Sequence, residues 1–208
     1  MDNSSGYKKR TMEAYDALAG ELAVGYDHHF EVYARLEAKH FLARLNKGCR
    51  ILDIGCGVGS ASRYFAEQGY PPVSADLSAE MVKECHRRGL THLVRLDLEV
   101  LPFPNSSFDG IWAHTSLLHI PKHRLVDVIG WLGKILKPGG ALFIALREGE
   151  KEGYEGKPGM ERWFANYQAN EFESYIPSAY SIERFSRIER QSVIFLNYHL
   201  VKNNGDRL

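Results

Sequence analysis

Cysteine is scarce in this chain, and what there is does not pair. Cys49, Cys56 and Cys85 are the only three, none stands in a Cys-x-x-Cys arrangement, and the count is odd. That usage argues against a disulfide framework and a structural zinc, and it fits a reducing compartment. Long apolar runs are missing too. No stretch is long enough to span a bilayer, and the basic residues within positions 1–10 have no apolar segment behind them of the kind a secretory leader needs. The expectation is a cytoplasmic protein with no membrane partner. Neither charge is in excess: Lys plus Arg number 26 and Asp plus Glu number 26, so no global field draws the chain onto nucleic acid. There are no internal repeats or low-complexity tracts, and 208 residues suffice for one domain with a substantial core.

One segment carries most of the information. Ile51-Leu52-Asp53-Ile54-Gly55-Cys56-Gly57-Val58-Gly59-Ser60 is a short apolar run with an embedded acid, ending in three alternating glycines before the helix-forming residues 61–67. The run reads as a buried parallel strand. Glycine lets the backbone pass close to a ligand in dihedrals that a Cβ forbids, and the helix start beyond offers free amide donors. Such a turn serves an adenosyl group or a phosphate. Cys56 is read as a small residue where bulk would strike the ligand, not as a nucleophile. Asp53 is expected to be hydrogen-bonded to nearby backbone amides rather than catalytic.

The rest of the chain alternates. Two helices broken near Gly25 are expected over residues 8–45, with Leu18, Leu22, Phe30, Tyr33, Leu36, Phe41 and Leu45 at three- and four-residue spacing. They form an N-terminal helical cap, residues 1–46. Strands are expected at 49–54, 72–75, 92–95, 108–113 and 141–146, with helices to residue 68, from 78 to 88 and from 122 to 136. This is the pattern of a parallel sheet with helices on both faces. Ser78 suits a helix N-cap, and Lys137-Pro138-Gly139-Gly140 reads as a stop and tight turn. Residues 47–146 thus form a cofactor-binding core. Beyond it come a Gly-rich mobile loop at 148–159, a helix near 171–175, and an antiparallel hairpin, 180–188 with 193–201, on the sheet edge.

A dinucleotide fingerprint wants its third glycine three residues after the second, but that position is Ser60. Asp76, at the end of the next strand, suits the ribose hydroxyls of either cofactor class. Asp97 discriminates: with Leu98 beside it, it supplies an acceptor and a backbone donor for an adenine. Together, residues 53–60, Asp76, Asp97, the Leu101-Pro102-Phe103 segment with Phe108-Asp109, and Leu136-Lys137-Pro138-Gly139-Gly140 resemble the motif series of class I S-adenosylmethionine-dependent methyltransferases. The resemblance covers about residues 47–146. It implies a Rossmann-like α/β fold with a seven-stranded, mainly parallel sheet, the C-terminal hairpin supplying the reversed strand. It also implies S-adenosyl-L-methionine as cofactor. Gly55, Gly57 and Gly59 would line its methionine and ribose portion, Asp76 would hold the ribose diol, Asp97 the adenine amine and Leu98 its ring nitrogen. Met81 would pack on the adenine face, with Leu77 alongside.

Such a site must desolvate an already activated methyl, align a nucleophile and remove a proton where the acceptor carries one. Residues 112–120 follow the fourth strand, at the edge where ligands bind in open α/β sheets. His114 is placed beside the cofactor. His119 is the candidate general base, its alternative being a histidine satisfied by a backbone carbonyl. Tyr15 and Tyr26 are candidates for the methionine carboxylate or for packing, Tyr15 being favoured by its Ala14-Tyr15-Asp16 setting. On the acceptor side stand His28, Arg147, Trp163 and Tyr167. Their plain alternatives are a solvated helix face, an ion pair with Glu148, and core contact together with Phe164. The expected enzyme methylates a small molecule, releasing S-adenosylhomocysteine. A tRNA wobble-uridine methyltransferase is the second enzyme reading, with Arg184, Arg187 and Arg190 the only obvious basic cluster. A non-catalytic cofactor-binding partner subunit and an NAD-linked oxidoreductase are the others.

Overall fold

The computed structural model describes residues 4–205, so the extreme ends of the expected cap and tail lie outside the described residues. The apolar runs form strands where the alternation requires: β1 (Ile51–Ile54), β2 (Val73–Asp76), β3 (Leu93–Arg95), β4 (Phe108–His114) and β5 (Leu136–Arg147). Between them lie α3 (Ser60–Glu67), α4 (Ala79–Arg87) and α5 (Lys122–Ile135), after the N-terminal α1 (Ser4–His29) and α2 (Arg35–Ala43). Ser78 caps α4 as expected, its hydroxyl accepting from the Met81 amide at 3.1 Å. The tail forms β8 (Tyr180–Arg190) and β9 (Val193–Lys202). One seven-stranded sheet results, in the order β3-β2-β1-β4-β5-β9-β8. β9 runs antiparallel to both of its neighbours and every other pairing is parallel, so β9 is the one reversed strand. The strand order reverses direction between β1 and β4, and there the crevice for a ligand opens. Buried Leu, Ile and Val of β1, β4, β5 and α5 form the main core.

Two expectations are corrected. The cap does not break at Gly25, which lies inside α1; the irregularity is a π-helical turn at Phe30–Ala34. The face turned to the domain follows the expected stripe only in part: Phe30 and Phe41 are buried, and Leu22 and Leu45 pack against the core. Leu36 is 57% exposed, while Ala14, Ala19, Ala23, Ala34 and Ala38 are buried, because small side chains let the helix lie close on the sheet edge. The second correction is at 148–159, read as a mobile loop. Residues Glu152–Glu155 form β6, antiparallel to β7 (Arg162–Ala165), ahead of a short α6 (Ala169–Ser174). Strand β5 also starts earlier than expected, taking in the Lys-Pro-Gly-Gly turn.

The cap is fastened to the edge hairpin by a buried acid. Glu37 is 1% exposed and accepts from Ser186 Oγ at 2.7 Å, with His199 Nε2 at 2.7 Å and Arg184 Nε at 3.5 Å. Burial opposes its ionised form. The bonds from His199 and Ser186 outweigh that and hold its carboxyl down at about 2. A carboxyl lowered from its ordinary value stabilises the fold above the usual carboxylate range and loses that contribution as pH falls through about 2. Glu37→Ala is therefore expected to cost about 3 kcal/mol at pH 7 in a urea titration, since it strands buried polar partners. Glu37→Gln should flatten the loss of stability that the wild type shows between pH 4.5 and 2.

Candidate active site

The carboxyl ends of the parallel strands open into a cavity of about 490 Å³. Its floor is the glycine turn after β1. Gly55 and Gly57 have φ of +70° and +54°, values that L side chains rarely adopt. A Cβ on Gly55 would stand 2.3 Å from that of Ser116, and one on Gly57 would stand 3.3 Å from the Tyr26 ring. Asp76 lies at the end of β2 with both oxygens engaged: the Gly57 amide donates to one and the Ser78 amide to the other, each at 2.9 Å. Burial nonetheless raises its carboxyl above the ordinary value. Asp53 reaches the cavity from β1. Burial pushes it up to about 7, against the pull of the Ser62 hydroxyl that donates to it at 2.6 Å. Its partner is thus a serine relay, extended to Ser74 at 2.7 Å, and not only the amides expected. Cys56 also lines the cavity. The Cys85 thiol 3.8 Å away, together with burial, holds its own thiol well above the usual range, which agrees with a non-nucleophilic role.

Met81, Leu77, Asp97 and Leu98 line the same end. Here the cap reaches down, Lys8 bonding Asp97 at 2.9 Å and also pairing with Glu99. Tyr7 donates to Glu99 at 2.5 Å. Farther along α1, Ser78 Oγ donates to Asp16 at 2.5 Å, and Ser60 Oγ and Arg88 hold Asp27 at 2.6 and 3.0 Å. The helix is thereby pinned across the glycine turn and the start of α4.

At the opposite end His114 borders the cavity, stacked over Trp112. Burial and the neighbouring His29 lower its pKa to about 3. The Nδ1 of His119 faces the Trp163 carbonyl at 2.5 Å, so that nitrogen carries the proton and donates. Nε2 is then left to accept from the Tyr15 hydroxyl at 2.7 Å. Burial lowers His119 to about 4, which makes it neutral near pH 7. The backbone-carbonyl alternative is the one present here: the Trp163 carbonyl satisfies the ring, whose other nitrogen meets Tyr15. Arg147, at the end of β5, lines the cavity and pairs with Glu155 at 2.8 Å, not with Glu148.

Four of the expected site residues lie elsewhere. Gly59 begins α3 with φ +80°, where a Cβ would strike Leu90 and Cys85, so it packs helices together. His28 is exposed, and its neighbour His29 faces the cavity, since successive residues of a helix point about 100° apart. Trp163 offers its carbonyl to His119 while its ring lies against Tyr7 and Tyr154. Tyr167 is fully buried in the main core beside Phe172. Residues that sequence reasoning did not place here are Arg162, Arg190, Ser116 and Phe195. The alternation of β7, which turns Arg162 and Phe164 to the same face, was the one available signal, hidden because the segment before it read as a loop. Arg190 was weighed only as a phosphate contact.

Residues 51–140 match the family model described as a methyltransferase domain. The malonyl-[acyl-carrier protein] O-methyltransferase of Enterobacter lignolyticus is 35% identical over 133 residues, 62% of this chain and 52% of that protein. The ubiquinone biosynthesis O-methyltransferase of Xanthomonas oryzae is 34% identical over 151 residues, 68% of this chain and 62% of that protein. The chain thus spans roughly half to two thirds of the length of these curated relatives. The crystal structure of a Burkholderia thailandensis 1,6-didemethyltoxoflavin-N1-methyltransferase, with 1,6-didemethyltoxoflavin and S-adenosylhomocysteine bound, superposes with a TM-score of 0.79 at 19% identity, over 98% of this chain and 92% of that one. Among the described residues no helix is long and apolar enough to cross a membrane. Residues 51–140 thus form a methyltransferase domain, and the sheet with its single reversed strand has the fold of the class I S-adenosylmethionine-dependent methyltransferases.

Proposed function

We propose that the protein transfers a methyl group from S-adenosyl-L-methionine to a small-molecule acceptor bound at the His114–Arg147 end of the cavity. The observation that carries this reading is the pairing of two acids, Asp76 and Asp97, with a glycine cradle that any Cβ would fill. The orphaned, buried Ser116 hydroxyl in the same wall adds a polar group in want of a partner. Asp76 would take the ribose hydroxyls, Asp97 the adenine amine once it shares Lys8, Leu98 the adenine ring nitrogen, and Met81 the adenine face. When bound, the cofactor supplies an electrophilic methyl on a sulfonium. The chain's own work is to exclude water with the cap, align the acceptor over His114, and hold Tyr15 in place through His119.

Two of the other readings lose support. A collapsed cap would favour a non-catalytic subunit, whereas here the space beneath α1 stays open. Against a tRNA surface, Arg184 is spent on Glu37 and Arg187 pairs with Glu148 at 2.5 Å, while Arg190 lines the cavity. The malonyl and ubiquinone names of the relatives favour a small or carrier-bound acceptor instead.

Calorimetry should detect S-adenosylhomocysteine binding to the wild type. Asp76→Ala should weaken it at least tenfold, as loss of charge-assisted bonds does; unchanged affinity would remove Asp76 from the site. With His119 held at about 4, turnover should show no histidine inflection between pH 5.5 and 8.5. His119→Ala should lower kcat about tenfold by freeing Tyr15, without adding such an inflection. A wild-type profile bending near pH 6.5 would contradict this assignment.

A further inference from the structure

The cavity is divided by charge. Its three acids, Asp53, Asp76 and Asp97, belong to the strand ends β1 to β3, whereas Arg147, Arg162 and Arg190 lie toward β5, β7 and the β8–β9 turn. The guanidiniums of Arg147 and Arg162 stand 4.7 and 5.2 Å from the centre of the Phe164 ring. Glu155 answers Arg147 from the cavity's outer side. Among the described residues neither Arg162 nor Arg190 has a carboxylate within 4.0 Å, and the buried Nε of Arg162 has no hydrogen-bond partner. The nearby imidazoles add no positive charge, since burial lowers His29 and His119 to about 4 and His114 to about 3. Between the arginines the wall is apolar, with Phe164, Phe195, Val193 and Phe30.

A guanidinium without a counter-ion in a partly buried, apolar recess, as at Arg162, is costly until an anion answers it, and Arg147 beside it is answered from the outer side by Glu155. Their planar fork matches a carboxylate in two-point contact. We propose that the methyl acceptor carries a carboxylate on a flat or extended apolar body, with the carboxylate held by Arg147 and Arg162 and the body laid along Phe164 and Phe195. This rests on the methyltransferase reading above and specifies its substrate class. Arg162 also stands 5.1 Å from the Tyr15 ring, so the rival occupant of its fork is the carboxylate of the methyl donor itself.

The test uses the full chain saturated with S-adenosylhomocysteine, titrated calorimetrically with benzoate, 4-hydroxybenzoate, cinnamate and octanoate, each beside its carboxamide. At least one carboxylate is expected to bind tenfold or more tightly than its amide. Arg147→Gln and Arg162→Gln should each erase most of that margin while S-adenosylhomocysteine affinity stays within about twofold, and Arg162→Lys should fall between, keeping charge without the fork. No preference for any carboxylate would overturn the inference. So would Arg162→Gln weakening S-adenosylhomocysteine instead, which would give that arginine to the cofactor. Failure of the wild type to bind S-adenosylhomocysteine at all is a separate result, and it would remove the methyl-donor reading underneath.

Discussion

The Asp76 carboxylate, between the amides of Gly57 and Ser78, is the point on which the site's geometry turns. A carboxylate this deeply buried is tolerated only where donors meet it, so the turn after β1 must direct the Gly57 amide inward. That direction requires the left-handed dihedral at Gly57. The neighbouring Gly55, also left-handed, is pressed so closely on Ser116 that the turn cannot retreat. The same acid fixes the residue that caps α4, and so ties the ends of β1 and β2 and the start of α4 into a rigid floor. Whatever moves to admit ligands must therefore be the roof.

The roof is held by the packing of Phe30, Phe41 and Leu42 on the domain and by polar pins. Alanines along α1 and α2 bring the helices close but bury little area each. Its position depends on Asp16, Asp27, Lys8 and Glu37, each reaching a different element of the domain. The π turn at Phe30–Ala34 lies between the Asp27 and Glu37 anchors, and Phe30 at its start lines the cavity. Such widened turns recur at functional sites because they re-aim side chains without ending the helix.

How far the sequence foretold this follows from which signals are local. The glycine turn, Asp76, Asp97 and the alternating strands were legible because each rests on a backbone demand or a burial period set within a few residues. The hairpin of β8 and β9 was legible for the same reason. The phase of the cap is legible only in part: Phe30 and Phe41 mark the buried face, whereas alanine carries little apolar signal and Leu36 points outward, so His28 stands where His29 belongs. The β6–β7 pair was read as a loop because its glycines and charges resemble a linker, and its pairing becomes visible only once Arg162–Ala165 meets Glu152–Glu155. Trp163 was misjudged through the two-residue period of that strand, which turns it away while turning Arg162 and Phe164 inward.

The charge division of the cavity follows from these same elements. Asp76 ends β2 and Asp97 follows β3, where backbone amides meet both, while Asp53 sits within β1 and is met by the Ser62 hydroxyl. The arginines come from the end of β5, from β7 and from the β8–β9 turn, beyond the strands that carry the glycine turn and the two aligned acids. One half of the site is thus fixed by backbone geometry and suits an invariant ligand. The other half is assembled from side chains on added hairpins, where a few substitutions change the charge presented without disturbing the floor. A sheet built this way can keep one cofactor while its acceptor changes, because the two ligands are read by parts of the chain that share few hydrogen bonds. His119 and Tyr15 span the divide: one ring is bonded to β7, the other stands on α1. Any movement of the roof is therefore felt where the two ligands meet.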